Sequence, residues 1–532
     1  MRALQVLFGL IPFLYAKRPN IVFILTDDLD VAMGGMTPLE KTRRLLGEAG
    51  ATFSNAFAST PICCPSRSTI LSGRYQHNTK VLNNTVDGNC SSQAWQDNIE
   101  PSTIGARLQP LGYKTFYAGK YLNMYGLKRS PGGVGHVPKG WDSWNALVGN
   151  SRYYNYSISR NGKEEKHGDD FNKDYLTNLV ANDSVAFINS MKADTPFFMI
   201  VAPPAPHEPW DSDPKYADLY QNLTAPRDNQ QWNIHRADAH WVVRNVPNPM
   251  SETSTKWSDN AYRSRWRCLK SVDDLVESIM NALNETQMLD DTYIMFSSDH
   301  GYHTGQFSLP YDKRQPYEFD LRIPLLIRGP NVKPNSTIPY PVSTVDFAPT
   351  ILDLANQNSK KLRFEDTNFD GESFKTLLNG SVDTSWRQNL LIEYHGEGLN
   401  DPATVYNCPG LGPGVSECVP DCVCDDASNN TFACVRRQIY SENLNLTDDL
   451  VYCEFVDKEN FIEVYNLIED PAQLKNLRGT LDPTMLEDLN MQLIELSSCT
   501  GEECSTLDVP PFRVDFDRTH EKEETIQNDH IF

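Results

Sequence analysis

Two adjacent cysteines, Cys63 and Cys64, stand directly before Pro65, Ser66 and Arg67 in the stretch STPICCPSRSTILSGRY (Ser59 to Tyr75). A cysteine so placed can be a nucleophile, a metal ligand, half of a disulfide, or raw material for another group. Pro65 suits the first turn of a helix, and the segment after it can remain helical to Gly73. Cys63 would then sit at the positive end of a helix dipole with Arg67 one turn on, which suits an anion under attack. A thiolate nucleophile would need a nearby histidine and no metal, and a disulfide would need no arginine.

Three carboxylates could join it. Asp27, Asp28 and Asp299 each follow a short apolar run, far apart in the chain. Crowded acids repel unless a cation lies among them, and an oxygen donor set favours Ca²⁺ or Mg²⁺. Taken singly, each aspartate reads equally well as a turn or cap residue.

The elements that must position these groups are legible as runs. NIVFIL leads into Asp27, YIMFSS into Asp299 and His300, and FFMIVAPPAP into His207. Such β-branched and aromatic runs read as buried strands. Between them lie amphipathic patterns, clearest in SVDDLVESIMNAL, where Val272, Leu275, Val276, Ile279 and Leu283 share one face. Asp273 and Asp274 fall on the opposite face and are expected to be solvated. Strands alternating with helices imply an α/β domain with a mostly parallel sheet, whose functional side chains collect at the carboxyl ends of the strands. From about residue 385 shorter strands (NLLIEY, VYCEF, FIEVYNL) and a helix near 484–496 imply a smaller C-terminal α+β domain. Residues 408–453 read as a disulfide-rich loop inserted in it. The domain plan is therefore 1–16 signal peptide, 17–384 catalytic domain, 385–513 C-terminal domain, and a charged, disordered tail over 514–532.

Composition narrows the function classes. The chain has 532 residues, a formal net charge of −22 and 39% hydrophobic residues, with a pI near 4.9. A sizeable core is available, and no basic stripe for nucleic acid is present. Overall acidity also opposes wrapping around a polyanion, although a local cluster of Arg and Lys can still hold a small anion. The first sixteen residues, with one basic residue and an apolar run from Leu4 to Leu14, read as a signal peptide cleaved after Ala16. No later segment approaches the apolar length of a membrane span. Acceptor sequons at Asn83, Asn89, Asn155, Asn182, Asn222, Asn284, Asn335, Asn379, Asn429 and Asn445 fit a secreted glycoprotein. Twelve cysteines, six of them between Cys408 and Cys453 without a histidine in the cluster, favour disulfides over zinc, and Cys499 and Cys504 are close enough for a local bridge.

Cys63-Cys64-Pro65-Ser66-Arg67 with Leu71-Ser72-Gly73-Arg74 resembles the signature of the type I sulfatases. The resemblance implies an alkaline-phosphatase-like α/β fold and conversion of Cys63 to Cα-formylglycine by the formylglycine-generating enzyme. It implies one Ca²⁺ per chain, held by Asp27, Asp28 and Asp299 with the group at residue 63. His300 stands where that motif commonly has asparagine, and could bind the metal or the sulfate. Lys120, His207 and Lys313 match sulfate-binding and leaving-group positions. The family often carries a histidine two residues after the lysine; this chain has Leu122, and His77 is the weaker candidate for the missing base. Conversion of Cys63 leaves eleven cysteines, so one must stay unpaired, and Cys64 is expected to be that buried thiol.

Further stretches, including GGMTPLEKT, DHGYHTGQFSLPYDKRQPYEFD and PGVSECVPDCVCDDASNNTFACVR, are similar to exo-acting family members that remove 6-sulfate from N-acetylglucosamine. The implied reaction is attack on sulfur by a formylglycine gem-diol at non-reducing ends of heparan and keratan sulfate. The implied location is the lysosome, reached through the secretory route, or the outside of the cell, and a homodimer is left open. A heparan sulfate 6-O-endosulfatase is the nearest alternative, but the long basic insert of that group is absent. A phosphoester or phosphonate hydrolase on the same fold, and a glycan-binding protein without catalysis, are the other readings.

Overall fold

The computed structural model describes residues 17–228, 230–356, 368–380, 385–397, 406–408, 412–414, 425–441 and 443–506. The expected signal peptide and C-terminal tail, and Cys418, Cys422 and Cys424 of the cysteine-rich stretch, lie outside them.

Ten strands form the main sheet: β1 (Asn20–Thr26), β2 (Ala51–Phe53), β3 (Lys114–Gly119), β4 (Ser143–Leu147), β5 (Ser157–Arg160), β6 (Lys163–Lys166), β7 (Phe197–Ala202), β8 (Thr292–Ser298), β9 (Leu325–Arg328) and β10 (Ser336–Ile338). Their order is β10-β2-β9-β8-β1-β7-β3-β4-β5-β6. The central strands β8, β1, β7, β3 and β4 are parallel, whereas β9 runs antiparallel to both its neighbours and β5–β6 closes the far edge as a hairpin.

Both faces of this sheet are covered, which is why its central strands read as unbroken apolar runs. Ile21, Phe23 and Leu25 of β1 pack toward one layer with Ile70 and Leu71 of helix α1 (Cys63–Ser72). Val22 and Ile24 pack toward the other, with helices α2 (Leu176–Ser190) and α3 (Glu252–Glu285). The apolar face expected over 271–283 is buried in that second layer. Its opposite face departs from expectation. Asp273 is fully buried and accepts hydrogen bonds from the Thr42 backbone N–H (2.8 Å) and hydroxyl (2.9 Å), while Asp274 pairs with Lys41 and Lys215. A long helix crossing a second element has no free face there: Asp273 takes the backbone N–H groups of Lys41 and Thr42, and Asp274 takes side-chain donors alone.

A four-stranded antiparallel sheet follows: β11 (Asn389–Tyr394), β12 (Phe432–Tyr440), β13 (Leu446–Phe455) and β14 (Ile462–Asn466), backed by helix α4 (Pro483–Ser498). Residues 432–453 are therefore mostly its two central strands and not loop. Arg436 and Arg437 interrupt the apolar pattern of β12, and both are buried because Glu318, Asp449 and Asp448 pair with them.

Disulfides join Cys434 to Cys453 across β12–β13, Cys499 to Cys504 locally, and Cys64 to Cys90. The last corrects the expectation for Cys64. The loop after α1 returns Cys90 to it, and the buried free thiols among the described residues are Cys63 and Cys268. The ten sequon asparagines are all at least partly exposed, and no described helix is long and apolar enough to cross a membrane.

Candidate active site

β1 and β8 are parallel neighbours in register, so Asp27–Asp28 and Asp299–His300 leave the same edge of the sheet side by side. α1 points its N-terminus at that edge and begins at Cys63; all ten of its residues are buried, and Gly73 ends it in the left-handed conformation (φ 67°). The helix is anchored there by Ser66, whose hydroxyl donates to the Asp299 carbonyl at 2.6 Å.

Donor atoms of Asp27, Asp28, Cys63 and His300 lie within 4.8 Å of one another. His300 Nε2 is 3.4 Å from Cys63 Sγ and 3.4 Å from Asp28 Oδ1. Nδ1 of that ring faces the Gly301 carbonyl at 2.9 Å and must donate to it, so Nε2 turns its lone pair to the carboxylates in the neutral ring. Asp27 Oδ1 is buried without a hydrogen-bond partner. That oxygen lies 3.5 Å from the Arg67 guanidinium. A buried carboxylate with one oxygen free of hydrogen bonds, a second aspartate and an imidazole lone pair, gathered within 4.8 Å, fit a divalent cation. Asp299 borders the same space, with Oδ1 3.7 Å from His300 Nε2, but its carboxylate also takes the Arg67 Nε–H at 2.8 Å and two backbone N–H groups.

The surrounding cations are as buried as the acids. Lys120 Nζ reaches Asp27 Oδ2 at 2.7 Å, and Lys313 Nζ reaches both oxygens of Asp28 at 3.0 and 3.1 Å. Burial opposes charge on Asp27, but Lys120, His207, Arg67 and Lys313 override it and hold the carboxyl well below its ordinary range. Asp28 is held down likewise by Lys313 and His207 against burial, and Asp28 in turn keeps Lys313 charged. For Asp299 burial wins, and its pKa is raised despite His300 and Arg67.

Backbone geometry positions these groups. Lys120 follows Gly119 at φ 101°, where a Cβ would strike the Ala202 carbonyl of β7, so only glycine lets the chain turn there. Asp28 adopts φ 65°, a strained conformation for an aspartate, and Arg265 of α3 donates to its carbonyl at 2.8 Å. The histidine missing after Lys120 is replaced by Leu122, which is fully buried in the core. His207 ends the loop after β7. Its Nδ1 faces the Glu208 carbonyl at 2.6 Å, its own carbonyl accepts from Tyr153, and Nε2 is the nitrogen left over.

Asp27, Asp28, Cys63, Arg67, Lys120, His207, Asp299, His300 and Lys313 are thus brought together. His77 is not brought into the group: its Nδ1 pairs with Glu393 at 2.9 Å and its Nε2 with the Cys499 carbonyl at 2.8 Å, so both nitrogens serve the joint with the C-terminal sheet. Sequence reasoning missed two contributors. Ser151 donates to Asp27 Oδ2 at 2.6 Å, and Arg265 braces Asp28. Ser151 lies in the loop between β4 and β5, among polar and aromatic side chains (NSRYYNY) that match no catalytic pattern.

Buried carboxylates and an imidazole that fit a cation, beside a cysteine at a helix N-terminus and ringed by Arg and Lys, suit an enzyme that transfers an anion. Residues 19–357 match the family model described as Sulfatase, and the chain belongs to the sulfatase family. Among its relatives, N-acetylglucosamine-6-sulfatase of Homo sapiens is 51% identical over 94% of this chain and 88% of its own length, and the Capra hircus enzyme of that name is 51% identical over 94% and 87%. The extracellular sulfatase SULF-1 homolog of Drosophila melanogaster is 41% identical over 71% of this chain but 33% of its own. The fold is shared with a solved complex of a protein with its substrate D-glucosamine-2-N,6-O-disulfate (TM-score 0.69, 21% identity, 90% of this chain and 97% of that one). It is shared too with a phosphonate monoester hydrolase from Silicibacter pomeroyi (TM-score 0.62, 18% identity, 89% and 94%).

Proposed function

We propose that this chain hydrolyses the 6-sulfate ester of N-acetylglucosamine 6-sulfate at non-reducing ends of heparan and keratan sulfate. The observation that carries this reading is the convergence of Cys63, Asp27, Asp28 and His300 on one point, in a chain half identical to N-acetylglucosamine-6-sulfatases over nearly its whole length. Cys63 is read as the precursor of formylglycine, made by the formylglycine-generating enzyme, and the cation as Ca²⁺ held by Asp27, Asp28, Asp299 and His300. Together these groups would supply a hydroxyl nucleophile of lowered pKa and positive charge against the sulfate oxygens.

The chain's own residues do the rest. Arg67 is locked by Asp299 and by the Lys120 carbonyl (3.0 Å), so its charge is aimed before substrate arrives. Lys120 and Lys313 place two further cations where negative charge gathers on the transferring group. His207 Nε2, on a ring fixed through Nδ1, is placed to give a proton to the departing sugar oxygen. Near-complete burial excludes bulk water and strengthens each of these interactions. The three described disulfides support passage through an oxidising compartment, with the lysosome as the proposed destination.

The test is sulfate release from two oligosaccharides, one with a terminal and one with only an internal 6-sulfated glucosamine. Release from the terminal position alone is expected. Release only from internal positions would replace this reading with an endosulfatase, and hydrolysis of phosphonate monoesters but not sulfates would replace it with the other activity found on this fold.

A further inference from the structure

Most of the site is sealed, and the little exposure it has lies at three places: Ser151 (7%), Lys313 (5%) and the half-buried His207. Substrate must arrive there. Each of the three has an unusual chain neighbour. Beside Ser151 stands Arg152, an exposed guanidinium with no hydrogen-bond or ion-pair partner among the described residues. Three residues after His207 stands Trp210, and two before Lys313 stands Tyr311.

The two aromatic neighbours meet. Tyr311 packs edge-on against Trp210 with ring centroids 5.7 Å apart, and lies near-parallel to Trp257 of α3 (6.5 Å, 28°). Trp257 is 42% exposed, the most costly side chain to leave in water on that helix. Its height above the site follows from the helix itself. Arg265 of α3 touches the Asp28 carbonyl, and eight residues at about 1.5 Å each carry Trp257 about 12 Å beyond that level. Ser258 donates to the Pro310 carbonyl at 2.5 Å, which fixes this stretch of α3 to the loop that carries Tyr311 and Lys313. The loop carrying Arg152 is tied to the same wall, because Tyr153 donates to the His207 carbonyl at 2.9 Å.

We infer that Trp257, Tyr311 and Arg152 form a second sugar subsite, for the residue that bears the sulfated terminal glucosamine, and that this residue is a hexuronate. The inference rests on the function proposed above. An exposed indole stacked in line with a tyrosine offers the flat apolar surface on which the C–H face of a pyranose ring packs. A guanidinium without a partner is the group that takes a carboxylate in a paired, charge-assisted contact. A net charge of −22 makes such a lone exposed cation at the mouth of an anion site the more telling. Galactose at the same place would stack equally well but would offer Arg152 no carboxylate.

The experiment uses the full-length mature enzyme and three substrates: N-acetylglucosamine 6-sulfate itself, the same sugar terminal on a hexuronate-containing tetrasaccharide, and the same sugar terminal on a galactose-containing one. The ratio of kcat/KM on each tetrasaccharide to that on the monosaccharide is measured for wild type, W257A and R152A. W257A should lower both ratios about fivefold, through KM, and R152A should lower the hexuronate ratio alone about tenfold. Arg152 is exposed and unpaired among the described residues, so R152A should keep the wild-type melting temperature. W257A also loses its stack on Tyr311 and is judged by the ratios, with its activity on the monosaccharide as the control. Ratios unchanged in both variants, or a loss equal on all three substrates, overturn the subsite. Wild-type enzyme inactive on every one of these sugars overturns the function reading and the subsite with it.

Discussion

The Ser151 hydroxyl donates to Asp27 Oδ2 at 2.6 Å, on the oxygen that Lys120 Nζ also reaches at 2.7 Å. Two donors on one oxygen fix the rotation of the carboxylate and leave Oδ1 without a hydrogen bond, 3.5 Å from the Arg67 guanidinium. Ser151 is thus a positioning residue for the proposed metal ligand Asp27.

S151A should therefore weaken calcium binding as well as catalysis. A hydrogen bond to a charged group contributes about 1.5–3 kcal/mol, so calcium affinity measured by direct titration should fall roughly tenfold to a hundredfold. A fall in kcat with calcium affinity intact would show that Ser151 acts on the substrate and not through Asp27.

C63S probes the second hydroxyl that formylglycine would bring. Serine can accept the sulfuryl group but has no further hydroxyl from which to eliminate sulfate, so the variant should stall as a covalent adduct. Intact mass after incubation with substrate should rise by one sulfuryl group, without turnover. Sustained turnover by C63S would contradict the mechanism.

The Cys64–Cys90 bridge closes a loop of 26 residues behind α1. The C64A/C90A double variant should lose about 2–5 kcal/mol of stability, read from chemical denaturation. If its stability matches the wild type, the bridge does not form in the mature protein.

His77 links the turn after α1 to the C-terminal sheet through Glu393. Burial lowers its pKa, but the Glu393 bond and charge outweigh that and raise it above the ordinary value. A raised pKa in the folded state means the bond contributes fully below the unfolded pKa, near 6.5, and fades as pH rises through the folded value. H77Q should cost about 1.5 kcal/mol at pH 5, the low end for such a bond because the ring is partly exposed, and less at pH 9. An equal cost at both pH values would mean the ring is neutral throughout.

What could be read in advance followed strand ends and a dense local signature. NIVFIL and YIMFSS announce β1 and β8 by composition alone, so the acids after them fall at one sheet edge on sequence grounds. The segment from Cys63 to Gly73 announces α1 through Pro65 and the terminal glycine. Ser151 and Arg265 gave no such notice, because their roles depend on a loop and a distant helix arriving at Asp27 and Asp28. The pairing of Cys64 with Cys90 depends on how the 80–90 loop folds back, which spacing does not encode. β12 was hidden by Arg436 and Arg437, whose partners Glu318, Asp449 and Asp448 are supplied by tertiary contacts.

The central claim is that residue 63 is not a cysteine in the active enzyme. Mass spectrometry of the peptide carrying residues 63–67, taken from purified active protein, tests it directly. An aldehyde at position 63, in proportion to specific activity, is the expected result; an intact thiol there in fully active material would contradict the account.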